Sequence, residues 1–309
     1  MSKISIVVPC YNEEKTVESF YTAILPVLES TGMDFEILYV NDGSRDDTFK
    51  LLKALAEKDE RVKAISFSRN FGQQAAILCG YRHATGDCVM ELDVDLQDPV
   101  ELIPDMIAKW KEGYDVVHGR RIKRKGESAF KKLTAKLYYK FLDKISAVSI
   151  PRDTGDFKLY DRKVIEVITG MSEKNKYIRG LASWVGFKQT FVDFERKERS
   201  AGETKYTLKK MVALAKTGVL SNSNWPLTLS FKAGLFSIVA SLICFLTFIV
   251  LACCKIFLPL TAWLFPTITL FGGGLAIFNA ITNLYIEKIN GEVQNRPEYI
   301  VAEKINLEK

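Results

Sequence analysis

The sequence predicts an α/β chain: a mostly parallel sheet with helices on both faces, then amphipathic segments and two C-terminal transmembrane helices. Three observations carry that expectation. Continuous apolar runs such as Ile4 to Val8 alternate with segments whose apolar residues recur at helical spacing. Acids collect where strands are expected to end, above all in Val89-Met90-Glu91-Leu92-Asp93-Val94-Asp95-Leu96-Gln97-Asp98-Pro99. Near the C-terminus, Ala233 to Cys254 is 22 residues without a charge, and Ile256 to Ile286 is also uncharged.

In order, Ile4 to Val8 reads as a strand covered on both faces, and Pro9 to Glu14 as a loop. Val17, Phe20, Tyr21, Ile24, Leu25 and Leu28 mark the first helix. Phe35 to Val40 is the second strand, running into Asn41-Asp42-Gly43-Ser44. Asp47 to Ala56 is a helix, Val62 to Ser66 a strand, Arg69-Asn70-Phe71-Gly72 a loop, and Gln73 to His83 an Ala-rich helix. Strand–helix alternation of this kind implies parallel pairing with right-handed crossovers. The acidic stretch begins as a buried strand, and Pro99 precedes a helix from Glu101 to Lys111. If the strand stays extended, Glu91, Asp93 and Asp95 share one face. Three carboxylates so close repel one another unless a cation sits among them, and Mg²⁺ or Mn²⁺ suits oxygen ligands.

The chain has 309 residues and a net charge of +6. Positive charge is concentrated from His118 to Lys144, with ten Lys or Arg residues against two acids. There, Phe130, Leu133, Leu137, Tyr138, Phe141, Leu142 and Ile145 form a stripe on a helix whose other face carries lysines. A helix lying on an anionic membrane surface is the preferred reading, ahead of a plain solvated face and then of nucleic acid. Six cysteines show no metal-ligand spacing and read as reduced, buried thiols. The start, Met-Ser-Lys followed by a strand, does not read as a signal peptide.

Each uncharged run is long enough to cross a hydrocarbon core of ~30 Å at ~1.5 Å per residue. The spans are placed at 233–254 and from about Pro266 to Ile286. Lysines precede the first, Lys288 and Arg296 follow the second, and the loop between holds only Lys255. The positive-inside rule then puts the N-terminal domain and both termini in the cytoplasm, making a multi-pass inner-membrane protein. The expected divisions are 1–206 catalytic, 207–232 amphipathic, 233–286 membrane-spanning and 287–309 a cytoplasmic tail.

No Gly-x-Gly-x-x-Gly or Walker loop is present. Instead, Val7-Val8-Pro9-Cys10-Tyr11-Asn12-Glu13-Glu14, Val40-Asn41-Asp42-Gly43-Ser44 and Asp93-Val94-Asp95-Leu96-Gln97-Asp98-Pro99 together resemble the signature set of glycosyltransferase family 2. That resemblance implies a GT-A nucleotide-sugar fold, with Pro9, Tyr11, Glu13 and Asp42 at the nucleoside. It also implies Asp93 at the sugar diphosphate and Asp95, Asp93 and Gln97 at the metal. Asn41 stands where the family often has a second acid. Gly155-Asp156-Phe157 in an acidic loop, Pro151 to Leu159, is similar to the polyprenyl-phosphate branch, where Asp156 occupies the position proposed as catalytic. Lys158 replaces the branch's usual Arg and loses its bidentate grip.

Arg199-Ser200-Ala201-Gly202-Glu203-Thr204-Lys205-Tyr206 resembles another branch motif, which implies Arg199 and Lys205 closing near the donor. Arg121, Arg124 and Ser128 are the candidates for an acceptor phosphate. Glu292 to Val301 resembles the tail of the bacterial two-span members. The resemblance to bactoprenol glucosyltransferases implies inverting transfer of glucose from UDP-glucose to undecaprenyl phosphate. The Gly272-Gly273-Gly274 triplet and small residues in the second span permit close helix contact, so a homo-oligomer is expected, taken as a tetramer. Likenesses to dolichol-phosphate mannose synthase and to an aminoarabinose transferase leave the sugar open. A non-catalytic membrane scaffold that kept the fold is the reading from another class. Processive synthases fit less well, because their Gln-x-x-Arg-Trp motif is missing.

Overall fold

The computed structural model describes residues 2–123, 154–173, 178–195 and 259–307, with scattered positions from 232 to 254. The chain divides into two compact units. The first takes Met1–Lys144, Val148–Ala215 and Pro297–Lys309; the second takes Ile145–Ala147 and Lys216–Arg296.

The first unit is built on one eight-stranded sheet. Its strands are β1 (Lys3–Cys10), β2 (Asp34–Asn41), β3 (Val62–Phe67), β4 (Cys88–Glu91), β5 (Val116–Lys123), β6 (Thr154–Asp161), β7 (Gln189–Glu195) and β8 (Val301–Ile305). They lie in the order β7-β5-β6-β4-β1-β2-β3-β8. β4, β1, β2 and β3 pair in parallel, as do β5 and β7. β6 runs antiparallel to both β4 and β5, and β8 antiparallel to β3.

Helices α1 (Val17–Ser30), α2 (Thr48–Lys58), α3 (Gln73–His83) and α4 (Ile103–Lys111) supply the crossovers. α5 (Arg162–Gly170) follows β6, and α6 (Ile178–Trp184) precedes β7. Alternation along β1 divides its side chains between two cores. Ile4, Ile6, Val8 and Cys10 pack with α1, α2 and α4, while Val7 packs with α3, α5 and α6. α3 lies so close to β1 that a Cβ on Gly80 would overlap the Val7 side chain.

The amino ends of the central strands are tied by one buried carboxylate. Glu36 is paired with Lys3 at 3.0 Å and Lys63 at 2.7 Å, and accepts from Ser5 Oγ at 2.5 Å and the Thr85 N–H at 2.7 Å. Burial alone would raise its pKa; the hydrogen bonds from Lys63, Ser5, Thr85 and Lys3 outweigh burial and hold it at about 2.

Several sequence expectations are corrected. The acidic strand stops at Glu91; Asp93 and Asp95 follow in a turn in which Leu96 has φ +54°. The expected alternation on one face therefore fails. The supposed loop around Asp156 is strand β6, buried along most of its length. Its charges disguise a segment whose Phe157 and Leu159 side chains enter the core through the other face.

 Phe157 and Leu159 pack with β4 and β5 in the core that also holds α1 and α4.

Three thiols, Cys10, Cys79 and Cys88, are buried and free as expected, but Cys253 and Cys254 are exposed. The second unit contains α7 (Leu260–Val293), which includes the second expected span. The first expected span is described only at scattered positions. Among the described residues no helix is long and apolar enough to cross a membrane, so the two transmembrane helices are not supported. Thr267, Thr269, Gly272 to Gly274, Asn279, Thr282 and Asn283 interrupt the apolar residues of the second expected span. The basic helical stripe at 130–145 and the amphipathic segment at 207–231 lie outside the described residues.

The Glu36 cluster sets an acid limit on stability. Its folded pKa lies below the ordinary 4.5, so its contribution is complete above about pH 4.5 and is lost as pH falls toward about 2. That contribution is on the order of 3 kcal/mol. Urea unfolding across this window should show Glu36→Gln with a flatter loss of stability than the parent protein.

Candidate active site

The parallel strands β1, β2 and β4 end side by side, which is where open α/β sheets present their ligand-binding loops. Because β6 is antiparallel to β4, Asp156 near the start of β6 comes to the same end.

The loops after β1 and β2 are joined by short polar side chains. Asn12, with φ +54°, donates its N–H to Ser44 Oγ at 2.9 Å and accepts from the Arg45 N–H at 2.9 Å. The Glu13 N–H donates to Thr48 Oγ1 at 2.8 Å, and a Glu13 carboxylate oxygen accepts from Thr16 Oγ1 at 2.9 Å. Asn41 accepts from the Ser44 N–H at 3.1 Å and donates to Ser66 Oγ at 2.9 Å. In the position where the family often has an acid, Asn41 thus braces the loop. Pro9, Tyr11 and Glu13 are all half-buried along this rim.

Asp42 is buried and enclosed by the loop after β3. Its Oδ1 accepts from the Phe71 N–H at 2.6 Å, and its Oδ2 from the Gly72 N–H at 2.9 Å and Asn70 Nδ2 at 2.8 Å. Burial pushes the Asp42 carboxyl above its ordinary range, against the Phe71 and Gly72 N–H groups, which pull it down. The same loop reaches Asp93, whose Oδ1 accepts from Gln73 Nε2 at 3.2 Å. In the sequence, Arg69 to Gly72 reads only as a connecting loop. Its one legible signal was Gly72, which here has φ +102°.

Asp95 accepts from the Gln97 N–H at 3.1 Å, a bond that shapes the turn. Asp93, Asp95 and Gln97 are half-buried. Among the described residues there is no group of three or more His, Cys, Asp or Glu side chains suited to holding a metal. A pair of carboxylates still fits a hard divalent ion that keeps water and phosphate oxygens in its remaining positions.

Glu91, expected beside Asp93 and Asp95, turns instead into the protein. It is buried and accepts from Tyr81 Oη at 2.6 Å. Burial, and then the charge of Asp156, raise its pKa well above the ordinary carboxylate range. Lys158 lies opposite Glu91 in the β4–β6 ladder and is itself buried. His118 lies opposite Lys158 on the other side, where burial, and then the Lys158 charge, push it down to about 4. A cation in β6 thus sits between a neutral imidazole and a group of carboxyls that includes Glu91 and Asp156.

Arg121 packs against Gly155, where a Cβ would overlap its guanidinium, and contacts buried Asp98 at 3.4 Å. This brings Arg121 beside the residue preceding Asp156. Arg124, Ser128, Arg199 and Lys205 lie outside the described residues.

Residues 5–169 match the glycosyl transferase family 2 model. The chain belongs to glycosyltransferase family 2. This family-2 glycosyltransferase is 46% identical over 308 residues to an uncharacterized glycosyltransferase, YkcC, of Bacillus subtilis, covering 98% of this chain and 94% of the relative. It is 40% identical over 303 residues to the bactoprenol glucosyl transferase of Shigella phage SfII, covering 97% of each. Among solved structures it is similar to mannosyl-3-phosphoglycerate synthase from Rubrobacter xylanophilus, with TM-score 0.48, 19% identity and coverage of 70% of this chain and 71% of that one.

Gly43 tests the closeness of the two loops in this glycosyltransferase. It has φ +64°, and an added Cβ would overlap the Arg69 carbonyl carbon and lie 2.6 Å from the Asn70 nitrogen. Gly43→Ala should cost more than about 2 kcal/mol in denaturant unfolding, through the positive φ and the displaced loop.

Proposed function

We propose that the protein is an inverting polyprenyl-phosphate glycosyltransferase. It moves a hexose, glucose from UDP-glucose in the favoured case, onto undecaprenyl or another polyprenyl phosphate. The observation that carries this reading is the 40% identity, along almost the whole of both chains, with a bactoprenol glucosyl transferase. The gathering of Asp42, Asp93 and Asp156 at one end of the sheet supports it.

In this reading Pro9, Tyr11, Glu13 and Asp42 hold the nucleoside. Asp42 already accepts three N–H bonds, leaving about one of its roughly four acceptor directions for a base N–H. Asp93, Arg199 and Lys205 hold the sugar diphosphate. Asp95, Asp93 and Gln97 would hold Mg²⁺ or Mn²⁺, which supplies charge neutralisation at the leaving diphosphate.

An oxygen of the acceptor phosphate bonds to the anomeric carbon from the face opposite the diphosphate. The bond to the diphosphate breaks, and its electron pair leaves with that group. A phosphate monoester has its second pKa at ~6, so the acceptor is already anionic near neutrality. The protein's task is therefore orientation, and Asp156 aligns the acceptor or the sugar hydroxyls. Arg121, Arg124 and Ser128 receive the acceptor phosphate.

A lipid acceptor calls for a membrane-attached enzyme. We place the protein on the cytoplasmic membrane, attached through 233–254 and 266–286, with the catalytic unit and both termini cytoplasmic. Exposed Leu264, Ile268, Phe271, Leu275 and Phe278 on α7 support attachment through that segment. Small residues at Gly272 to Gly274 favour close helix contact and a homo-oligomer, a tetramer in our reading.

The reaction is tested with full-length protein in detergent and a short-chain polyprenyl phosphate. UDP-glucose, GDP-mannose and UDP-aminoarabinose are offered separately, each radiolabelled, with Mn²⁺ or with EDTA. Labelled lipid should form from one donor, and should be lost with EDTA and in Asp95→Asn. Labelled lipid from none of the donors, despite metal-dependent nucleotide binding, would overturn the acceptor assignment. Asp156→Asn should lower kcat by about 10²-fold or more while changing donor KM little, as expected of a group acting at the transition state.

A further inference from the structure

We infer that Tyr299, in the C-terminal segment, is a positioning residue for the donor site, acting through the loop from Ser68 to Gln73. The inference rests on the reading of Asp42 and Asp93 as donor-binding groups.

The C-terminal segment is fastened beside this loop by several independent contacts. β8 extends the sheet along β3, and the Ser68 N–H donates to the Ile300 carbonyl at 3.0 Å. The Tyr299 ring stacks on Phe67, with centroids 5.0 Å apart and planes 10° from parallel. Phe67 in turn meets Phe71 edge-on at 5.8 Å. On its other flank Tyr299 lies under the Arg82 guanidinium, 5.6 Å from the ring centre, and Arg82 is paired with Glu298 at 2.5 Å. Farther along, Asn306 Nδ2 donates to the carbonyls of Ala56 at 2.7 Å and Val62 at 2.9 Å.

What gives this arrangement a consequence for the donor site is the destination of the loop's polar groups. Asn70, Phe71 and Gly72 donate to the Asp42 carboxylate, and Gln73 donates to Asp93. The loop backbone also closes on Gly43. The chain of contact is short: Tyr299 to Phe67, Phe67 to Phe71, and the Phe71 N–H to Asp42. Aromatic packing fixes the loop from one side, while the two carboxylates take its hydrogen bonds on the other. Removing the Tyr299 ring takes away the face stacked on Phe67 and, through the Phe67–Phe71 contact, loosens the donors around Asp42.

The experiment measures UDP and GDP binding with Mn²⁺, by calorimetry on full-length protein in detergent, at a temperature well below unfolding. Tyr299→Ala should weaken binding of the preferred nucleotide about five- to tenfold. Tyr299→Phe, which keeps the stacked ring, should bind like the parent. Asn306→Ala removes two bonds of the same segment away from the loop, so it should lower Tm while leaving nucleotide affinity unchanged. Amide exchange at residues 69–73 should accelerate in Tyr299→Ala and stay at the parent rate in Asn306→Ala. Parent-like affinity and parent-like exchange in a folded Tyr299→Ala protein would overturn the inference while leaving the donor-site reading intact. A parent protein that binds neither nucleotide would overturn the donor-site reading and this inference with it.

Discussion

The geometry at the carboxyl ends of the strands depends on one constraint: the buried Asp42 carboxylate must find donors, and among the described residues the loop after β3 supplies them. A buried carboxylate without donors is costly, so the loop is drawn over the end of β2 until backbone N–H groups reach it. That closure leaves no room for a side chain at Gly43. It also carries Gln73 to Asp93, so two strand ends separated by β1 are held in register by six residues, 68 to 73. Asn12, Ser44 and Thr48 serve the neighbouring loops in the same way, at closer range.

The opposite end of the sheet solves a related problem with charge. Glu36 is surrounded by two lysines, two hydroxyls and an N–H, and it ties β1, β2, β3 and the entry to β4 at their amino ends. At the carboxyl ends Asp42 is held instead by backbone N–H and amide donors. Fixed stability thus lies at one end of the strands, and groups able to receive a ligand lie at the other.

The parallel half of the fold was legible because its strands are buried on both faces and so spell continuous apolar runs; α3 was read with the bounds it has. The three carboxylate positions Asp42, Asp93 and Asp156 were legible through motif resemblance. β6 was not, because Asp156 and Lys158 interrupt a buried strand and make it look like a loop. Nor was the fate of Glu91 readable, since alternation assumes extended backbone and β4 stops at that residue. Contacts between distant parts of the chain, Tyr81 with Glu91, Arg121 with Asp98 and Tyr299 with Phe67, leave no periodic trace in a sequence.

The position of β8 has a consequence for solubility. β3 would otherwise end the sheet as an edge strand, with a row of unpaired N–H and C=O groups and the apolar residues Ala64, Ile65 and Phe67 along it. Such an edge is a template for strands from other molecules. The last residues of the chain cover it and present Glu303 and Lys304 outward. A chain ending before Pro297 would keep its family motifs but expose a sticky border, and its first failure would be aggregation.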